Sequence, residues 1–160
     1  MILTNALVVP MTERRKSFRG YVRVKQGVIA EVNEGSPATI ANDEEIMDGT
    51  GRVLMPGLIN AHTHLYQVLL RAVWEDLPLL HWLKRIYGAA QVLRPEHFYA
   101  GTMLGCIEAI QSGVTTLCEH NFLNPHPECA FETVRAIRDS GLRAVFARTI
   151  MDTGKWFRTA

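Results

Sequence analysis

The sequence predicts an α/β protein in two unlike halves. Residues 1–54 read as a small β-sheet, and residues 55–160 as strands alternating with helices in a parallel sheet. Three observations carry this reading. Apolar and polar residues alternate with period two through the first half, between runs of turn residues. The second half runs strand, helix, strand, helix, strand, which is the spacing of successive βαβ units. The 160 residues are 48% hydrophobic and 21% charged, a composition that supports a folded core.

The elements follow in order. ILTNALVVP opens the chain as a strand. After a charged turn, GYVRVKQGVIAEV interleaves Tyr21, Val22, Val24, Val28, Ile29 and Val32 with Arg23, Lys25, Gln26 and Glu31. Gly20, Gly27 and the stretch EGSPAT mark turns. The basic cluster Arg14, Arg15, Lys16 and Arg19 reads as a solvated hairpin tip, because Glu13 interrupts it and no aromatic platform follows. From residue 53 the alternation stops, and VLMPGLINA is an unbroken apolar run, as in a parallel strand covered on both faces. A mixed stretch, 65–93, holds all but one of the tryptophans. Residues 95–112 read as a helix that Pro95 starts and Gly113 stops, with Tyr99, Met103, Cys106, Ile107 and Ile110 on one face. VTTLCEH is a second strand. PECAFETVRAIRDSG is a second helix, with Phe131, Val134 and Ile137 inward and Gly141 as terminator. LRAVFARTI is a third strand.

Several function classes fall away at this point. The net charge is +1, from 17 basic and 16 acidic residues, so neither nucleic acid nor an anionic membrane is expected as a partner. Apolar runs fall short of a membrane span, and the N-terminus has neither a basic n-region nor a cleavage pattern. Cys106, Cys118 and Cys129 form no paired framework, so a reducing, cytoplasmic setting is expected. No G-x-S-x-G, P-loop or G-x-G-x-x-G occurs, which disfavours a serine hydrolase or a nucleotide-binding enzyme.

The stretch PGLINAHTHLYQ, residues 56–67, carries the chemistry. In a strand, residues i and i+2 share a face, so His62 and His64 project together. They lie at the carboxyl end of the first parallel strand, where α/β folds place their chemistry. Two adjacent imidazoles suit Zn²⁺ or Fe²⁺. The other reading is a pair of surface or core histidines without a metal, and a bare His-x-His does not decide between them. His120, beside Glu119, ends the second strand and faces the same rim. His81 reads as a packing or polar residue, His97 as an exposed residue of a first helical turn, and His126 as a solvated loop residue.

The stretches DGTGRVLMPGLINAHTHLYQVLLRAVWEDLPLLHWL, EAIQSGVTTLCEHNF and DSGLRAVFARTI together resemble the amidohydrolase superfamily, in its cytosine/guanine deaminase and triazine hydrolase branch. The resemblance extends to about residue 150. It implies that residues 1–54 are the N-terminal strands of a small β-sandwich, and residues 55–160 the first three βα units of an incomplete (β/α)8 TIM-type barrel. His62 and His64 then form a metal pair for one divalent cation, Zn²⁺ or alternatively Fe²⁺. Gln67 stands where guanine deaminase-like members contact the purine, and an amide can both donate and accept toward a ring edge. Arg71, Trp74 and Trp82 fall on the segment that walls the substrate pocket in relatives, although packing or salt bridging is an equal reading for these three. Trp74 and, from its place on the same rim as the histidine pair, His120 join Gln67 as candidates for substrate binding. Relatives acting on S-adenosylhomocysteine and methylthioadenosine carry a ribose-binding glutamate where this chain has Gln91. That difference favours a free base, pterin or triazine-like ring.

The implied reaction is hydrolytic deamination of an amino-substituted heterocycle, in which the metal lowers the pKa of bound water from about 15.7 to about 7. The family's remaining ligands and its proton-transfer groups come from later strands. No catalytic residue beyond the metal pair is therefore expected in this chain, which reads as part of a longer enzyme or a truncated product that must associate. Its expected partners are a small heterocyclic substrate and either a second copy or the remainder of the same enzyme. The competing reading is a non-catalytic βαβ module that oligomerises, or binds a partner, through open sheet edges.

Overall fold

A computed structural model describes residues 1–13 and 16–150. Arg14 and Arg15 of the basic cluster and the tail 151–160 lie outside the described residues. The chain forms two compact units, Met1–Pro56 and Gly57–Ala160.

The first unit is a five-stranded sheet. β1 (Ile2–Val8) lies between β2 (Phe18–Lys25) and β4 (Ile46–Asp48), β3 (Val28–Glu34) flanks β2, and β5 (Val53–Leu54) also pairs with β1. β1–β2 and β2–β3 are antiparallel, whereas β4 and β5 run parallel to β1. Period-two patterning is plain in β1, where Ile2, Thr4, Ala6 and Val8 are buried. The β2–β3 turn places Gln26 at φ 51° and Gly27 at φ 75°, the doubly left-handed backbone of a tight hairpin. Gly20 is no turn residue. It sits inside β2, where a Cβ would lie 2.0 Å from the Asn33 carbonyl oxygen of the neighbouring strand.

The second unit contains the parallel sheet β6–β7–β8: β6 (Leu58–Thr63), β7 (Val114–Asn121) and β8 (Arg143–Arg148). A 3-10 helix (Leu65–Leu70), α1 (Leu79–Ala90) and α2 (Pro95–Gln111) connect β6 to β7, and α3 (Pro127–Ser140) connects β7 to β8. The apolar run 53–61 divides. Its first two residues join the sheet of the first unit as β5, and the parallel strand begins only at Leu58. The break falls at Pro56, which has no N–H to give a ladder, and Gly57, where a Cβ would meet the Thr115 side chain at 2.1 Å. β6 is not covered on both faces: Ile59 is 73% exposed.

Both helices of the strand–helix pattern form, and Cys106 and Ile137 turn inward as expected, but the buried faces are rotated away from several of the larger apolar residues. α2 buries Phe98, Gly101, Thr102, Gly105 and Cys106, leaving Ile107 and Ile110 exposed. α3 buries Cys129, Ala130, Thr133, Ala136 and Ile137, while Phe131 is 73% exposed and Val134 exposed. Small side chains win these faces because they let the helices approach closely. A Cβ on Gly101 would stand 2.8 Å from the Tyr66 carbonyl oxygen of the 3-10 helix. The core of this unit is two clusters. Tyr66, Ile86, Ala90, Phe98, Leu123 and Cys129 form one, and Leu65, Cys106, Leu117 and Ile137 form the other.

Candidate metal centre and adjoining pocket

β6 and β7 deliver three histidines to one point. Their parallel ladder pairs Leu58 with Val114 and Asn60 with Leu117, then slips before Thr63 meets Glu119. Beyond Thr63 the chain leaves the sheet, and His64 opens the 3-10 helix. Along β7, Leu117, Glu119 and Asn121 turn to the buried side, so Cys118 and His120 take the other face. The ring centroids of His62, His64 and His120 are 4.8–5.2 Å apart. One ligating atom from each residue lies within 4.8 Å of those of the other two.

Hydrogen bonding decides the form of His64. Its Nδ1 lies 2.6 Å from the His120 carbonyl oxygen, which can only accept, so Nδ1 carries the proton and Nε2 keeps its lone pair. Burial pushes the His64 pKa down against the opposing effect of that carbonyl, and neighbouring His62 and His120 push it the same way as burial. The imidazole is thus favoured neutral, the form that ligates metals. The Phe122 ring meets the His64 ring edge-on at 4.9 Å. His120 Nε2 lies 2.7 Å from the Thr149 hydroxyl just past β8. Three imidazole nitrogens, one with its tautomer set by a backbone acceptor, are a donor set that fits a divalent cation such as zinc.

A cavity of about 490 Å³ adjoins His64, and Gln67, Arg71, Trp74, Glu75 and Trp82 are among its walls. Gln67 and Trp74 therefore stand at this cavity with His64, whereas His120 stands with the histidines and not on the cavity wall. Gln67 donates from Nε2 to the Tyr66 hydroxyl at 3.2 Å. Arg71 gives both of its terminal nitrogens to Glu108, at 3.0 and 2.7 Å. Gln91 is exposed at the end of α1 and is not a wall residue. His81 is exposed on α1, His97 accepts the Arg94 N–H at 2.9 Å at the start of α2, and His126 is an exposed residue preceding α3.

Reading the sequence passed over Glu119 as a group in its own right. It is fully buried, and its Oε2 accepts the Leu65 N–H at 2.8 Å. Burial raises its carboxyl pKa to about 7, against the lowering effect of the Leu65 N–H and the Asn121 side chain. The available signal was its position: on β7 a carboxylate alternates in phase with buried Leu117.

Known proteins show what this arrangement is similar to. The profile described as the Amidohydrolase family matches residues 53–156. A 5-methylthioadenosine/S-adenosylhomocysteine deaminase of Syntrophomonas wolfei is 38% identical over 156 residues, covering 96% of this chain and 35% of the relative. A 5'-deoxyadenosine deaminase of Methanothermobacter thermautotrophicus is 40% identical over 138 residues, covering 85% of this chain and 30% of the relative. The chain thus spans about a third of the length of these relatives. Among solved structures, a mutant atrazine chlorohydrolase of Arthrobacter aurescens complexed with zinc and atraton superposes with TM-score 0.81 at 20% identity, over 96% of this chain and 36% of that one. A guanine deaminase of C. acetobutylicum with bound guanine superposes with TM-score 0.76 at 21% identity, over 91% of this chain and 35% of that one. These likenesses show the fold: strands of a small sheet followed by the first βα units of a barrel.

Proposed function

Since the chain belongs to the amidohydrolase family, we propose that it is the N-terminal part of a metal-dependent hydrolase that deaminates a nitrogen heterocycle. Residues 1–54 are its sandwich portion and 55–160 its barrel portion. His62 and His64 hold one divalent cation, zinc in preference to iron. The observation that carries this reading is the 2.6 Å contact from His64 Nδ1 to the His120 carbonyl, which presents a neutral imidazole with a free Nε2 beside two further imidazoles.

A cation bound there supplies Lewis-acid activation of water at neutral pH. The chain's own residues do the rest of what this portion can do. Gln67, on the first turn past His64, offers an amide donor and acceptor to a ring edge. Trp74 and Trp82 give the cavity aromatic walls suited to stacking on a flat heterocycle. Arg71 is occupied by Glu108 and braces the wall. Gln67, Trp74 and His120 are assigned to substrate binding, and His120 does so from its place beside the metal pair.

For the substrate, Gln91 in place of a ribose-binding glutamate points to a free guanine-, pterin- or triazine-like ring. A second reading has a specific support: relatives of 38–41% identity are named for methylthioadenosine, S-adenosylhomocysteine and 5'-deoxyadenosine, all amino-bearing purine nucleosides. Both readings share an aromatic ring carrying an amino group. Cys106, Cys118 and Cys129 are free, which suits a reducing cytoplasm. No helix among the described residues is long and apolar enough to cross a membrane.

Cobalt(II) titration of the full chain tests the metal centre. One equivalent should bind with visible d–d bands, and His62→Ala and His64→Ala should each weaken binding by about tenfold or more. Absence of uptake by the unmodified chain, or uptake by both variants as tight as that of the unmodified chain, would defeat the assignment.

A further inference from the structure

We infer that Glu119 is a positioning residue that caps, from the neighbouring strand, the turn at which His64 and Gln67 are set. The inference rests on the proposed metal centre only for what His64 ligates; the positioning stands on geometry alone. Three observations carry it.

His64 begins the 3-10 helix Leu65–Leu70 with φ −127° and ψ 80°, and no side chain of its own caps the helix. The first N–H groups of a helix have no partner within it and must find one elsewhere. The Leu65 N–H finds Glu119 Oε2 at 2.8 Å, across 54 residues of sequence. Leu65 is itself 3% exposed, so water is a poor substitute for that acceptor.

Glu119 is also the ladder partner of Thr63, so it lies directly beside the strand at the residue where β6 ends. Its carboxylate is fully buried on the face of β7 opposite His120, and its Oε1 has no hydrogen-bond partner among the described residues. Burying an acid is costly, and here its Oε2 accepts from the backbone N–H immediately after His64. Among the described residues the Leu65 N–H is the hydrogen-bond donor that reaches this buried acid, so the side chain is committed to the backbone just past His64.

The consequences propagate over a short path. With the Leu65 N–H held, the His64–Leu65 peptide is fixed, and His64 Nδ1 can reach the His120 carbonyl. The same turn continues through the bond from the Gln67 N–H to the His64 carbonyl, at 3.1 Å, and this orients Gln67 toward the cavity it lines. One side chain thus fixes both a proposed ligand and a proposed substrate contact while touching neither a metal nor a substrate.

The test uses the ¹⁵N-labelled full chain with Glu119→Gln, which keeps an acceptor oxygen, and Glu119→Leu, which removes it. Long-range ¹H–¹⁵N spectra read the His64 tautomer, and amide exchange reads Leu65. The unmodified chain and Glu119→Gln should show His64 protonated on Nδ1 and a protected Leu65 amide. Glu119→Leu should show averaged tautomers, Leu65 exchange faster by about tenfold or more, and cobalt(II) affinity weaker by about tenfold. A dispersed spectrum of Glu119→Leu with the Nδ1–H tautomer intact would overturn the inference, as would loss of that tautomer in Glu119→Gln. If Glu119→Leu prevents folding, Glu119→Asp, which withdraws the carboxylate by one methylene, gives the same comparison. Absence of cobalt binding by the unmodified chain defeats the metal centre but leaves the tautomer and exchange readouts to judge Glu119.

Discussion

Arg23 ties β2 to the 39–44 segment through two acceptors and to β3 through a third. It reaches Glu31 at 2.6 Å, Glu44 at 2.9 Å and the Thr39 carbonyl at 2.5 Å, and Glu31 also accepts the Tyr21 hydroxyl at 2.9 Å. The Arg23 hydrogen bond, helped by Tyr21, holds the Glu31 carboxyl below its ordinary value of 4.5. A carboxyl whose folded pKa is depressed stabilises the fold fully above its unfolded pKa, and that contribution is lost as pH falls through the folded one. Urea unfolding should therefore show stability falling as pH drops below about 4.5, with a shallower fall in Glu31→Gln. Equal slopes in the two proteins would remove Glu31 from the acid response. The period-two pattern was enough to place Arg23 in a strand. It could not show that segment 39–44 closes over the guanidinium, because alternation describes one strand and burial depends on what packs against it. The same holds at Glu119 and Thr149, whose roles depend on strands brought alongside by the sheet.

Glycines at two helix positions predict opposite responses to the same substitution. A Cβ at Gly101 of α2 would come 2.8 Å from the Tyr66 carbonyl and 3.0 Å from Leu69, whereas one at Gly88 of α1 meets nothing within 4 Å. Gly101→Ala gains up to about 1 kcal/mol of helix propensity but forces helix and 3-10 turn apart, for a net loss of about 1–3 kcal/mol. Gly88→Ala should instead gain about 0.5–1 kcal/mol. Chemical denaturation of both variants checks the pair, and a stabilising Gly101→Ala would show that the close approach is not needed. The glycines also explain which parts of the elements could be read in advance. Pro95, Gly113, Pro127 and Gly141 mark α2 and α3 to within a residue or two, since punctuation is local. The buried faces were misassigned toward Ile107, Ile110, Phe131 and Val134, because closeness of approach, and not apolar content, chose the side that packs. His62 and His64 could be read together for the same local reason, a two-residue spacing at the end of β6, although His64 itself stands one residue past the strand. His120 needed the register of β7 against β6 to reveal how near it comes.

At the scale of the chain, the sheet carrying the histidines has two outer strands, β6 and β8. Leu58 is 49% exposed, Ile59 73% and Val145 62%. Outer strands with unpaired backbone groups and apolar side chains are templates for pairing with another chain. In relatives three times as long, more polypeptide is available to meet such surfaces, whereas these 160 residues carry about a third of that length. The polypeptide on its own should therefore self-associate. Light scattering behind size exclusion, at about 20–50 μM, should give a mass well above 18.0 kDa. Val145→Lys places a charge on β8 and should shift the population toward monomer, since a charged edge resists strand pairing. If the association instead proceeds through β6, Ile59→Lys will shift it and Val145→Lys will not. A monomer of 18.0 kDa in the unmodified protein would mean that both outer strands are shielded in solution, and the histidine rim would then have to be tested as part of a self-sufficient fold.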